Sequence, residues 1–311
     1  MEIRLHLGAH RTANTSFQHY LSENAEVLRK SGLIVWGPNQ TRGGLLTGVV
    51  PVEGRQSPAE QLRRAKSRIA LNLAEAAATG AKMVLVTDEN MIGAARRNLR
   101  DERLYAAIGE RMARFYEVFD GRIASVSLSI RSQDTYWASS LAFAVARGHR
   151  LPSARILRHL SRNTRTWRDV ITDLACALPD VAINVLPYET FGGLPEARLK
   201  AVTGLTDVPR RAARECLNRS PELPVLRKII DERGGDSGLL PDGTGRWHPF
   251  DTEQVSALRE AYADDFFWLR AGAEGLATLT EETWPDRKRF EPHGAEMTRG
   301  RHHGKENRRL A

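Results

Sequence analysis

The sequence predicts an α/β fold in which a central, mainly parallel sheet is covered by helices on both faces, with a helical C-terminal part. Three observations carry this. Short apolar runs recur along the first two thirds of the chain, helix-length amphipathic stretches separate them, and polar turns follow them. Strands spaced by helices of ten or more residues call for crossover connections and a parallel sheet buried on both sides. The 311 residues, 41% of them hydrophobic, suffice for one sizeable core.

Residues 2–7 read as a short strand, and 15–30 as a helix, because Phe17, Tyr20, Leu21 and Leu28 recur at helical spacing. Gly32 stops that helix, residues 33–36 form a second strand, and 38–58, rich in Gly, Pro and polar residues, read as a long loop. Loops of that length commonly carry function. A basic amphipathic helix over 59–78 leads to an apolar strand over 83–87 and the polar turn Asp88-Glu89-Asn90. The pattern repeats with a helix over 104–119, a strand over 123–130 and a helix over 133–146. A helix over 166–177 and a buried strand over 181–186 end the alternation at Pro187-Tyr188-Glu189. From Pro195 onward the chain reads as helical, with helices over 221–232 and 252–269 on either side of a Gly-rich loop over 234–245. Residues 1–284 are expected to form one domain, and 285–311, charged and poor in aliphatics, a disordered basic tail.

The net charge of +8 comes from 46 Lys and Arg against 38 Asp and Glu. Residues 287–311 hold eight of those bases and three of the acids, so the body carries only +3. Such a body gives little support for a specific nucleic-acid partner. Arg63, Arg64, Lys66 and Arg68, and a second cluster at Arg158, Arg162, Arg165 and Arg168, form either solvated helix faces or an attraction for an anionic acceptor. His302-His303 belongs to the tail, which reads as an unstructured basic segment. Cys176 and Cys216 match no metal or redox spacing and read as core residues of a protein in a reducing compartment. No run approaches the roughly 18 apolar residues needed to span a bilayer, and no signal-peptide pattern opens the chain, so a cytoplasmic protein without a membrane span is expected.

The stretch "LHLGAHRTANTSFQHYL" sets a strand, a Gly-containing turn and a helix beginning at Asn14, Thr15 and Ser16 in succession. Free N–H groups and the helix dipole favour an anion at such a place, although many βα turns use Gly, Asn and Thr only as turn and cap residues. Beyond the carboxyl ends of the strands is also where ligands collect in open α/β sheets. A Walker A loop is not present: counting from Gly8, Ala13 stands where its second glycine belongs and Asn14 where its lysine belongs. The basic residue is instead Arg11. This arrangement resembles the 5′-phosphosulfate loop of the sulfotransferases, in particular the bacterial form that reads approximately H-x-G-x-H-K-T-G-T-T-S-x-Q. The chain here reads His6-Leu7-Gly8-Ala9-His10-Arg11-Thr12-Ala13-Asn14-Thr15-Ser16-Phe17-Gln18. It departs from that pattern at Arg11 for lysine, Ala13 for glycine and Asn14 for the first threonine of the pair. Arg keeps the charge but makes proton donation to a leaving phosphate unfavourable, Ala13 restricts the backbone, and Asn14 retains an amide donor.

In "LSIRSQDTYWASSLAF", Arg131 ends a strand and Ser139 follows eight residues later on a helix. The same spacing is that of the sulfotransferase pair for the 3′-phosphate of 3′-phosphoadenosine 5′-phosphosulfate (PAPS). "VLPYETF" and "LREAYADDFFWL" resemble a later strand ending in Tyr-Glu and a last helix with a Tyr-x-x-Asp core. Asn218 and Ser220 resemble a polar pair that approaches the nucleotide.

The resemblance implies a P-loop-type three-layer fold and transfer of a sulfuryl group from PAPS to a hydroxyl or amine of a small-molecule or glycan acceptor. It implies Arg11 as charge clamp, with Gly8, Thr12, Ala13, Asn14, Thr15 and Ser16 around the 5′-phosphate and Arg131 with Ser139 on the 3′-phosphate. Glu89, just past a strand and in the only acidic pair placed at a sheet carboxyl end between the two motifs, is the first candidate for the general base, and His10 the second. No metal site is expected. Two alternatives compete: a non-catalytic nucleotide-binding protein of the same fold, and a divergent P-loop phosphotransferase.

Overall fold

The computed structural model describes residues 1–54, 56–162 and 164–281. β1 (Glu2–His6) is followed by α1 (Asn14–Glu23), α2 (Ala25–Lys30) and β2 (Leu33–Trp36). The short α3 (Pro38–Gln40) passes through a π-helical turn at Thr41–Leu45 to α4 (Pro58–Ala78) and β3 (Met83–Thr87). A 3-10 turn at Glu89–Ile92, α5 (Ala95–Arg100) and α6 (Ile108–Val118) precede β4 (Ile123–Ile130). Three helices, α7 (Gln133–Ala146), α8 (Ala154–Arg162) and α9 (Trp167–Ala177), lead to β5 (Ala182–Pro187). The rest comprises α10 (Tyr188–Phe191), α11 (Pro195–Thr203), α12 (Leu223–Asp231), α13 (Thr252–Arg270) and β6 (Thr278–Leu279).

All six strands run parallel, in the order β2-β3-β1-β4-β5-β6. Side-chain alternation assigns each strand residue to one of two layers. Ile3, Leu5, Val84, Val86, Val126 and Leu128 pack with Leu62, Met112, Trp137 and Trp167 from α4, α6, α7 and α9. On the opposite face, Leu85 and Leu186 pack with Phe17, Tyr20 and Leu21 of α1 and Leu199 and Val202 of α11. The result is the expected three-layer α/β arrangement. The chain leaves β1 toward β2 and leaves β4 toward β5, in opposite directions, so a crevice opens where these two neighbours end.

The second face is not purely apolar. Under α1 lies a buried polar stripe: His6 Nδ1 is 2.9 Å from Thr87 Oγ1, His6 Nε2 is 3.4 Å from Ser129 Oγ, and the ring meets Phe17 edge-on at 4.9 Å. Arg198 of α11 joins the stripe, its guanidinium 5.2 Å from the Phe17 ring.

Several element boundaries differ from the sequence reading. The helix expected over 15–30 is two helices, because Asn24 Nδ2 donates to the Tyr20 carbonyl at 2.7 Å and to the Arg211 carbonyl at 3.0 Å, drawing the backbone out of register. The loop over 38–58 contains α3 and the π-helical turn, with Gly44 at φ 126°. The helix expected over 104–119 starts only at Ile108, since Tyr105 takes φ 39° and donates its N–H to Asn98 Oδ1. Helices α5 and α8 and strand β6 were not among the expected elements. Cys176 and Cys216 are exposed rather than core. On α9 the inward positions belong to Val170, Ile171 and Leu174, which turns Cys176 outward. The tail over 285–311, with His302-His303, lies outside the described residues. No helix among the described residues is long and apolar enough to cross a membrane.

Burial first, and then the nearby Arg198, hold His6 far below its ordinary value, so the folded protein keeps it neutral. An unfolded histidine titrates near 6.5, so below that pH the unfolded chain takes up a proton that the folded one refuses. Stability should therefore fall as the pH drops below about 6.5, by up to about 1.4 kcal/mol per pH unit for this group. Urea denaturation at pH 7.5 and 5.5 measures the drop. It should be smaller in His6→Gln, and an equal drop would contradict the assignment.

Candidate functional site

Between β1 and α1 two non-glycine residues adopt left-handed backbone, Arg11 at φ 65° and Ala13 at φ 61°. Each costs about 1–2 kcal/mol, which surrounding contacts must offset. The N–H groups of Leu7 and Ala9 donate to the Ser127 and Ser129 carbonyls at 2.8 and 3.0 Å, carrying the β1–β4 pairing into the loop. Thr12 Oγ1 donates to the Ala9 carbonyl at 2.6 Å, and Asn14 Nδ2 to the Gly8 and Ala9 carbonyls at 2.9 and 2.8 Å. Arg131 Nη1 donates to the Arg11 carbonyl, and Arg198 Nη2 to the Thr12 carbonyl, each at 2.8 Å. The Ala13 carbonyl accepts from Phe17 N at 3.1 Å and so starts α1. With these carbonyls bound, the first N–H groups of α1, which no side chain caps, remain for an anion.

Asn14 therefore serves the loop itself: both its amide bonds return to loop carbonyls rather than offering a donor outward. Its packing also explains Gly8, where an added Cβ would lie 1.9 Å from Asn14 Oδ1. Thr12 is fully buried and contributes through its backbone. The chain over 216–220 lies across the start of α1, with Leu217 N donating to Ser16 Oγ at 2.8 Å and Asn218 Nδ2 to Thr15 Oγ1 at 3.3 Å.

The two motifs, 120 residues apart, meet. Arg11 Nε donates to Ser139 Oγ at 2.9 Å, and its Nη2 donates to Ser220 Oγ and the Asn218 carbonyl, each at 3.0 Å. Arg131 donates from Nε to Thr135 Oγ1 at 3.0 Å and stands 4.3 Å over the Tyr188 ring. Behind it, Trp167 Nε1 donates to the Arg131 carbonyl at 2.8 Å. Glu189 accepts from Ser132 N at 2.9 Å and Tyr262 OH at 2.8 Å, while Asp265 accepts from Trp167 N at 3.0 Å and Thr166 Oγ1 at 2.6 Å. The Tyr-Glu pair and the Tyr-x-x-Asp core thus carry the mount on which Arg131 sits.

Among the described residues no carboxylate hydrogen-bonds Arg11 or Arg131. Burial lowers Arg11 to about 10, helped by Arg131, Arg147 and Arg246, with Tyr188 acting the other way. Burial likewise lowers Arg131, opposed by Tyr188 and Glu189. Burial lowers the fully enclosed Arg198 to about 10, and its Nε and Nη1 have no hydrogen-bond partner. All three stay cationic at neutral pH, so the crevice is an excess of buried positive charge. A cavity of about 210 Å³ lies against Arg11, Ser16, Glu89, Arg131, Ser139 and Arg246. A phosphate dianion fits this donor set in charge and hydrogen bonding.

The acidic pair divides. Asp88 is buried, accepts a two-pronged bond from Arg42 with Nη2 at 2.7 Å, and takes the Thr41 hydroxyl at 2.6 Å, which fixes the π-helical turn. Glu89 borders the cavity but holds Arg42 Nη2 on one oxygen and Gln18 Nε2 on the other, each at 2.8 Å. His10 also borders it. Its N–H donates to Tyr105 OH at 2.7 Å and its Nε2 lies 3.2 Å from the Asn90 amide. Burial lowers His10, against the opposing pull of Glu89.

Sequence reasoning missed Arg246 and Arg198 as parts of this site, since each stands alone in its segment with no motif around it; Tyr188 enters it only as part of the strand end in "VLPYETF", not as a wall of the cavity. Cys216, expected in the core, lies in the cavity wall. Part of each basic cluster is engaged elsewhere: Lys66 pairs with Asp120 at 2.6 Å, Arg165 with Asp173 at 2.6 Å and Arg168 with Glu274 at 2.5 Å. Compared with protein-family models, curated proteins and solved structures, the chain shows no significant match.

Gly8→Ala should collide with Asn14 and cost about 1–3 kcal/mol of stability, read by chemical denaturation. Adding Asn14→Ala should recover part of that loss. A Gly8→Ala protein as stable as the wild type would contradict the tight packing described.

Proposed function

We propose that the chain is a PAPS-dependent sulfotransferase. The observation that carries the proposal is the convergence of Arg11, Arg131 and Ser139 on one crevice at the ends of β1 and β4, where neither guanidinium is hydrogen-bonded to a carboxylate among the described residues. The N–H groups opening α1 suit the 5′-phosphate, and Arg131 with Ser139 suits a second phosphate on the same nucleotide. ATP chemistry of the Walker type lacks its lysine, and the Asn14 that replaces it is committed to loop carbonyls. A cytoplasmic setting belongs to this reading, since two exposed thiols suit a reducing compartment.

PAPS supplies an activated sulfuryl group whose bond to the 5′-phosphate breaks as the acceptor oxygen bonds sulfur. The chain's own part is to align acceptor and donor, to meet charge on the departing phosphate with the α1 amides, and to remove the acceptor's proton. Glu89 and His10, both at the cavity wall, are the groups for that proton. Glu89 must first loosen its bonds to Arg42 and Gln18 to serve as base. That engagement favours the second reading, a nucleotide-binding protein of the same build without turnover.

Single-turnover assays with labelled PAPS and a panel of hydroxyl and amine acceptors, water included, test both. Wild-type protein should release labelled sulfate ester or sulfate. Glu89→Gln should slow release about 100-fold or more, with His10→Ala milder. An active Glu89→Gln passes the role to His10, and a wild type that transfers to nothing while binding the nucleotide supports the second reading.

A further inference from the structure

Resting on the nucleotide reading above, we infer that Arg11 is a specificity residue that holds the nucleotide's 3′-phosphate together with Arg131, rather than attending the transferred sulfuryl group. Arg11 is tied at both ends to the pair assigned to that phosphate. Its carbonyl accepts from Arg131 Nη1 at 2.8 Å, and its Nε donates to Ser139 Oγ at 2.9 Å. The left-handed backbone at Arg11 accompanies a side chain that reaches α7 and the chain over 218–220, where Nη2 donates to Ser220 Oγ and the Asn218 carbonyl at 3.0 Å and the guanidinium lies 4.6 Å from the Phe143 ring.

Three diverging donations from one head group, plus contact with a ring face, need a planar fork. A lysine ammonium at this position offers a single point of charge and cannot span Ser139, Ser220 and Asn218 in the same way. The arginine is therefore the residue this geometry requires. Among the described residues Arg11 Nη1 and Arg131 Nη2 carry no hydrogen bond. They are two guanidinium edges, supported by Ser139 and Ser220 whose hydroxyl oxygens are 2.6 Å apart. A phosphate monoester dianion supplies the charge that neighbouring Arg11 and Arg131 lack, and its oxygens accept from both forks.

Calorimetry on the full chain with 3′-phosphoadenosine 5′-phosphate and with 5′-AMP, which lacks only the 3′-phosphate, isolates this contact. Wild-type protein should prefer the bisphosphate by about 10- to 100-fold. Arg11→Lys and Arg11→Gln should cut that preference by about tenfold while 5′-AMP affinity stays within about twofold. Ser139→Ala reads the same contact from the helix side: it should reduce the preference alone and change it less in the Arg11→Lys background. Equal weakening of both nucleotides by the Arg11 variants, with Ser139→Ala acting independently, would overturn the inference and return Arg11 to the 5′-phosphate. A wild type that binds neither nucleotide overturns the nucleotide reading and this inference with it.

Discussion

Two guanidinium groups donating to consecutive carbonyls, Arg131 to Arg11 and Arg198 to Thr12, fix the conformation on which the site depends. Without them the loop has no evident reason to hold two non-glycine residues in left-handed backbone. With them, the peptides turn their oxygens back toward the sheet and leave amides at the start of α1. Both arginines come from distant parts of the chain, the end of β4 and the middle of α11, so the loop's shape depends on the assembled fold as well as on its own Thr12 and Asn14. The buried His6, Thr87 and Ser129 stripe belongs to the same layer, giving Arg198 polar neighbours on an otherwise apolar face.

This arrangement is costly in the absence of an anion. Taking a guanidinium out of water without a carboxylate costs several kcal/mol, and three such groups lie at or behind one crevice. A binding site is a place where such a cost is kept, because an anion supplies the missing partner. The surrounding contacts are spent on rigidity: the Tyr188 ring beneath Arg131, Trp167 on its carbonyl, and Glu189 and Asp265 on the backbone that follows it and the start of α9. Few of these side chains face the cavity, yet all of them limit where Arg131 can point.

Much of the fold was legible because it rests on local pattern. The strand over 123–130 and the helix over 133–146 coincide with β4 and α7, where apolar run and helical period change abruptly at Arg131 and Ser132. Helix α1 was overextended because Asn24 acts through a tertiary bond to the Arg211 carbonyl, which periodicity cannot register. In the site, Arg11, Arg131 and Ser139 were singled out through the resemblance of their two motifs to a known pattern, and all three line the cavity. Arg198 and Arg246 were not, since a single arginine in a helix or loop carries no signal until the fold sets it beside others. Asn14 was read as a donor to phosphate, whereas the clash that excludes a side chain at Gly8 shows where its amide is buried.

The central claim is that the crevice selects a nucleotide bearing two separated phosphates over one bearing a triphosphate. Thermal unfolding of the full chain with 3′-phosphoadenosine 5′-phosphate and with ATP, each at the same concentration and ionic strength, tests it directly. At about 100 times its Kd the bisphosphate should stabilise by about 2.7 kcal/mol and raise Tm by about 4 °C. ATP should raise it much less. A shift with ATP equal to or above that with the bisphosphate would contradict the account.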